Sequence, residues 1–169
     1  TNVYKSADAG VSFLTLPPNP GGAGSNNVTI TCLDVTRSGN SYIVAIGTRD
    51  SDSLEFGGVY TFDENKPSSW LNTAIGNYDV VALAFSPNYP TDYQLMAVAT
   101  NERDTFIKAK VDKTGWGEVF GGATILSLAA RNATFAFPAD YNVTTPNPTF
   151  FVAINAGGNR GDVYQVKLG

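Results

Sequence analysis

The 169-residue sequence contains no histidine and one cysteine, Cys32. Without histidine, most catalytic triads and most zinc sites are excluded. A lone cysteine cannot close an internal disulfide. Cys32 stands inside the apolar run Val28–Val35, where it reads as a small buried hydrophobe. A reactive thiol would call for a histidine or another cationic neighbour. Charge is scarce too, at 15% of residues with a net value of -4, below the usual quarter. The polar surface must then be built from Asn, Thr, Ser and Gly, a composition commoner in secreted and cell-surface β proteins than in cytosolic enzymes. A mildly acidic chain holds a phosphate backbone poorly, so nucleic acid is not expected as a partner. No stretch approaches the run of about 18 apolar residues that a membrane-spanning helix needs. No signal peptide is visible, and the start at Thr1 without Met leads us to expect a processed or excised piece of a longer protein.

What is present is a globular composition, 43% hydrophobic with 17 Gly and 9 Pro, and an internal repeat. Ser41-Tyr-Ile-Val-Ala-Ile-Gly-Thr48 aligns with Tyr93-Gln-Leu-Met-Ala-Val-Ala-Thr100 and with Thr149-Phe-Phe-Val-Ala-Ile-Asn-Ala156. Ala45, Ala97 and Ala153 thus recur at roughly 50-residue spacing. Each segment is a short apolar run between turn residues, the signature of a buried strand. A further apolar run precedes each one, at Val28–Val35, Val80–Phe85 and Ile125–Ala130. A more alternating element follows each, at Gly58–Phe62, Thr105–Val111 and Asp162–Lys167. A weaker fourth element is built on Trp70 and again on Trp116. Helix signals are poor. The best candidate, Ala123–Arg131, lacks a polar face, and the repeat alignment makes it a strand.

Four short strands recurring at this period predict an all-β fold of β-propeller blades, each of four antiparallel strands. A β-sandwich is the competing all-β architecture. Asn2–Ser6 aligns with Gly58–Phe62 and Asp162–Val166, so the chain is expected to open on the third strand of a partial blade, 1–16. Whole blades follow at 27–72 and 78–120, and a partial one at 123–169. Because propellers close with about four blades or more, about three blades imply that missing blades or another chain complete the ring. An open ring would leave strand edges unpaired.

Ser6-Ala-Asp8-Ala-Gly10-Val-Ser12-Phe13 resembles the Asp-box (BNR-type) repeat of sialidases, sortilin-type receptors and photosystem II assembly-factor-like propellers. It also sits where those families carry the motif, between the third and fourth strands of a blade. The resemblance implies a structural staple rather than an active site. Asp8 would accept backbone N–H groups across the turn, Gly10 would take a conformation other residues resist, and Phe13 would anchor the loop on the blade. Asp63–Trp70 and Asp112–Trp116 are degenerate copies. Leu83-Ala-Phe-Ser-Pro-Asn-Tyr-Pro-Thr-Asp92 is similar to the strand-to-loop segment of uncharacterised bacterial surface propellers.

Candidate sites are few. Sialidase chemistry, by the same resemblance, needs three arginines on the substrate carboxylate, a Tyr–Glu nucleophile pair and an acid Asp. Arg37 and Arg131 follow expected first strands and Arg49 and Arg103 follow second strands, with Arg160 further on; no roles can be assigned. No catalytic residue and no metal-ligand set is therefore named, and no cofactor is expected. Loop carboxylates at Asp50-Ser-Asp52 and Glu102-Arg-Asp104 are where Ca²⁺ would bind, without EF-hand spacing to support it. Sequons at Asn27, Asn132 and Asn142 are candidate glycosylation positions, in a number that chance supplies to such a chain. Arg160-Gly-Asp162 spells an integrin-type tripeptide inside a Gly-rich hairpin turn. Tyr42, Tyr78, Tyr89, Tyr93 and Tyr141 lie near loops and could offer a sugar- or protein-binding face. The expectation is a non-catalytic, secreted or cell-surface scaffold for protein or glycan partners, with no membrane insertion. The alternatives are a segment of a sialidase-like glycoside hydrolase and a structural subunit of a filament or surface lattice.

Overall fold

A computed structural model describes residues 2–17, 27–66, 69–117, 124–144 and 148–168. Thr1, Pro67, Gly169 and the expected blade limits at 120 and 123 lie outside these residues. The fold is all-β, in four antiparallel sheets. The first pairs β1 (Tyr4–Lys5) with β2 (Leu14–Thr15). The second is a meander of β3 (Val28–Ser38), β4 (Ser41–Asp50), β5 (Gly58–Asp63) and β6 (Leu71–Asn72). The third repeats that meander with β7 (Asp79–Phe85), β8 (Gln94–Thr100), β9 (Thr105–Val111) and β10 (Thr124–Leu126). The fourth holds β11 (Asn132–Ala136), β12 (Thr149–Asn155) and β13 (Gly161–Lys167). Among the described residues, helix is confined to one turn, α1 (Tyr89–Asp92), before β8.

The sheets stack with an apolar layer between each successive pair. Val3 and Leu16 of the first sheet's segment pack on Val44, Ile46, Phe62 and Trp70. Ala45 and Val59 meet Val80, Leu83, Leu95 and Ala97. Met96, Val98 and Ile107 meet Phe150, Val152 and Ile154. The central strands β4 and β8 therefore bury both faces, with alternate residues going to different layers. That explains why they are continuous apolar runs rather than alternating ones. Gly47 marks a close approach: a Cβ there would stand 2.5 Å from Cys32 Sγ and 2.6 Å from Val80 Cγ1. β12 is different, because Phe150, Val152 and Ile154 are buried while Phe151 remains 38% exposed.

One strand lies elsewhere than its hydrophobicity suggests. Ile125–Ala130 is not the first strand of the last sheet. Residues 124–126 pair with β9 as the outer strand of the third sheet, and the first strand of the last sheet is Asn132–Ala136. Arg131 accordingly precedes a first strand instead of following one. The intervening residues 127–130 form a linker that one side chain ties at two points: Thr105 Oγ1 donates to Leu128 O at 2.6 Å and accepts from Ala130 N–H at 2.9 Å. Likewise Trp116 itself lies in a turn; its indole N–H donates to Thr73 O at 3.1 Å.

Candidate functional site

The strand ends divide the chemistry between two rims. One rim collects the starts of β3, β7 and β11 together with the turns that follow β4, β8 and β12. The register fixes this, since Asp50 opposes Val28, Thr100 opposes both Asp79 and Thr105, and Asn155 opposes both Asn132 and Gly161. Arg49, Arg103, Arg131 and Arg160 all lie here; Arg37 is at the opposite rim, its Nε donating to Gly39 O at 3.1 Å.

The centre of this rim is the loop 51–57. Asp79, the first residue of β7, is fully buried. Its Oδ1 accepts Asp50 N–H at 2.9 Å and Gly57 N–H at 3.0 Å, so a side chain of the third sheet closes both ends of a loop of the second. Asp79 Oδ2 faces Arg49 Nε at 3.6 Å. Burial raises the pKa of Asp79, the two N–H bonds and Arg49 pull it down, and Glu102 raises it. Glu102, in the turn after β8, accepts Leu54 N–H on Oε2 at 3.1 Å. Gly57 is obligatory where it stands, because a Cβ would lie 2.0 Å from Thr48 O.

Of the two expected acidic clusters, the first converges and gains a member the sequence reading omits. One carboxylate oxygen each from Asp50, Asp52 and Glu55 lies within 4.8 Å of the others. Asp50 is 2% exposed, Asp52 exposed and Glu55 intermediate. In the second cluster, Glu102 is committed to Leu54 N–H, and Asp104 N–H bonds Asn101 Oδ1 at 2.8 Å.

Ser6–Phe13 joins β1 to β2. Asp8 organises it: Oδ1 accepts Ser6 Oγ–H at 2.8 Å and Ser12 N–H at 2.9 Å, and Oδ2 accepts Ser12 Oγ–H at 2.5 Å. Ser6 Oγ in turn accepts Gly10 N–H at 2.8 Å. These donors, Ser12 first, hold the Asp8 carboxyl at a pKa of about 2. Gly10 takes φ +88°. Phe13 corrects the expectation. It is 62% exposed, so the described residues do not bury it against the sheet. Asp63–Trp70 occupies the corresponding β5–β6 connection. There Asp63 Oδ1 accepts Ser41 Oγ–H at 2.7 Å and Asn65 N–H at 2.9 Å, and Trp70 packs on Phe62 with ring centroids 5.4 Å apart.

The sequons fall on different parts of the molecule. Asn27 Nδ2 donates to Asp52 Oδ2 at 2.7 Å. Asn132 is exposed at the start of β11. Asn142 Oδ1 accepts Thr144 N–H at 2.9 Å. Arg160-Gly-Asp162 is exposed in the β12–β13 hairpin, with Arg160 N–H bonded to Gly157 O at 3.0 Å. Of the tyrosines, Tyr89 and Tyr93 pack edge-on with ring centroids 5.9 Å apart, Tyr141 is buried with its hydroxyl on Gln94 Oε1 at 2.6 Å, and Tyr78 packs edge-on to Phe106. Tyr42 and Tyr93 are about half exposed, at 48% and 46%.

No family model, no curated protein and no solved structure matches this chain.

Proposed function

We propose that the stacked meanders are blades of a β-propeller, that Ser6–Phe13 is its Asp-box, and that the chain is a non-catalytic recognition module of a secreted or cell-surface protein. The charged rim meets the protein or glycan partner. The observation that carries this reading is the fastening of rim loops across sheets: Asp79 holds both ends of loop 51–57, and Glu102 holds its middle. Ordering a rotamer-rich side chain on binding costs about 0.5–1.5 kcal/mol. A loop tied down in advance by the buried Asp79 and the half-buried Glu102 avoids much of that cost and presents a fixed surface. The half-open burial of β12 supports completion of the ring by further blades or another chain.

A second reading, a segment of a sialidase-like glycoside hydrolase, rests on the four arginines that share this rim with its carboxylates. One experiment separates the two. The purified chain is screened against immobilised glycans and extracellular proteins, and against sialoside substrates. The recognition reading expects saturable binding that Leu54→Asp or Arg160→Glu abolishes and Arg37→Glu leaves intact. Turnover of a sialoside, or binding lost only with Arg37→Glu, overturns it.

A further inference from the structure

We propose that the Asp50–Glu55 turn is a binding site for a calcium ion, a site that stands whether or not the rim recognises a partner. The first support is convergence. β4 delivers Asp50 to the rim, and the turn brings Asp52 and Glu55 back beside it, with one oxygen of each within 4.8 Å of the others. Two oxygens facing each other across a calcium ion, each at about 2.4 Å, stand about 4.8 Å apart.

The second support is independent of that cluster geometry. Asp50 is 2% exposed. Its Oδ1 takes the Asp52 N–H at 2.8 Å, while its Oδ2 is buried and meets no hydrogen-bond donor among the described residues. A buried carboxylate oxygen with no donor is costly unless a cation meets it. Arg49, the adjacent cation, is turned to Asp79, and no Lys or Arg occurs from residue 50 to residue 65. The turn thus sets a buried carboxylate oxygen beside two more accessible carboxylates, and among the described residues no Lys or Arg forms an ion pair with any of the three.

The donor set selects the ion. All ligand atoms are oxygens, with no histidine in the chain, which disfavours zinc and suits a hard cation. An irregular turn tolerates the variable coordination of calcium better than the near-ideal octahedron magnesium demands. Asp52 and Glu55 open to solvent and give the ion its way in. The amide of Asn27, on Asp52 Oδ2 at 2.7 Å, holds one of these ligands in place.

The test is calorimetric titration of the EDTA-dialysed chain with calcium chloride and, separately, magnesium chloride, alongside thermal denaturation in each salt. We expect one saturable calcium site with a Kd on the order of 10⁻⁴ M, as in extracellular modules, and a calcium-specific rise in Tm. Asp52→Asn and Glu55→Gln, at positions outside the core, should each weaken binding about tenfold or more while the unliganded far-UV spectrum stays unchanged. Asp104→Asn should bind as the parent does. The proposal is overturned if calcium gives no saturable signal up to about 10 mM, if magnesium reproduces the effect, or if the two variants bind calcium as tightly as the parent.

Discussion

Asp79 accepts the backbone N–H of Asp50 at 2.9 Å across the boundary between two sheets, and the same oxygen takes Gly57 N–H at 3.0 Å. Asp79→Ala strands both donors in a buried place. An orphaned buried polar group costs about 1–3 kcal/mol, so urea denaturation should show a loss of about 2–5 kcal/mol. Asp79→Asn keeps an acceptor oxygen and should lose less. The pH dependence has a defined sign. Burial raises the folded-state pKa of Asp79, so between the unfolded and folded values the native state holds the extra proton. Stability must then fall as pH rises through that window and level off above it. The parent minus Asp79→Asn difference should carry that slope; a difference that grows with pH would contradict it.

Gly47 lets Val80 of the third sheet pack directly against the backbone of β4. Gly47→Ala would thrust a methyl against Cys32 Sγ and Val80 Cγ1, at 2.5 and 2.6 Å. Overpacking of this kind costs about 1–3 kcal/mol. Val80→Ala should recover part of the loss in the double variant, and a double-mutant cycle measures that coupling. Cys32 gives a second readout. Burial pushes its thiol up to a pKa of about 11, so alkylation at neutral pH should be slow in the parent and faster in Gly47→Ala.

Asp8 titrates at the surface. Its hydrogen bonds lower the pKa to about 2, so the ordering they give the turn is present above the ordinary carboxylate value and is lost as pH falls toward 2. Carboxyl ¹³C shifts should give a midpoint near 2 in the parent. Ser12→Ala removes the largest contributor and should move the midpoint upward. A midpoint unchanged by Ser12→Ala would show that the hydroxyl does not hold the carboxylate.

The strands that were easiest to read were those buried on both faces. Ser41–Thr48 and Tyr93–Thr100 announce themselves because their apolar centres, Val44–Ile46 and Leu95–Ala99, enter one apolar layer or the other. Alternation likewise marked β5, β9 and β13. The last sheet was harder, since Asn132-Ala-Thr-Phe-Ala136 is small, polar and half exposed, whereas the largely apolar segment 127–130 is a linker held by Thr105. Hydrophobicity reports burial, not which sheet a residue joins. Phe13 shows the converse: the motif specifies its hydrogen bonds, but the depth of its aromatic depends on what lies beneath. The charged rim was half legible. Asp50 and Asp52 stand together in the chain, but Asp79 carries no local pattern, and only the stacking of sheets brings it to Gly57.

The bonds that fasten loop 51–57 run from side chains of the third sheet to main-chain amides of the second, at Asp50, Leu54 and Gly57. An amide is the same whatever non-proline residue bears it, so Ser51 and Phe56 can be exchanged without touching the anchors, whereas Ser53 also donates to Glu102 Oε2 at 3.5 Å and Leu54 holds a left-handed φ of +67°. The path of this loop and its message are thereby encoded separately. A library randomised at Ser51 and Phe56 would display different chemistry on one unchanged frame.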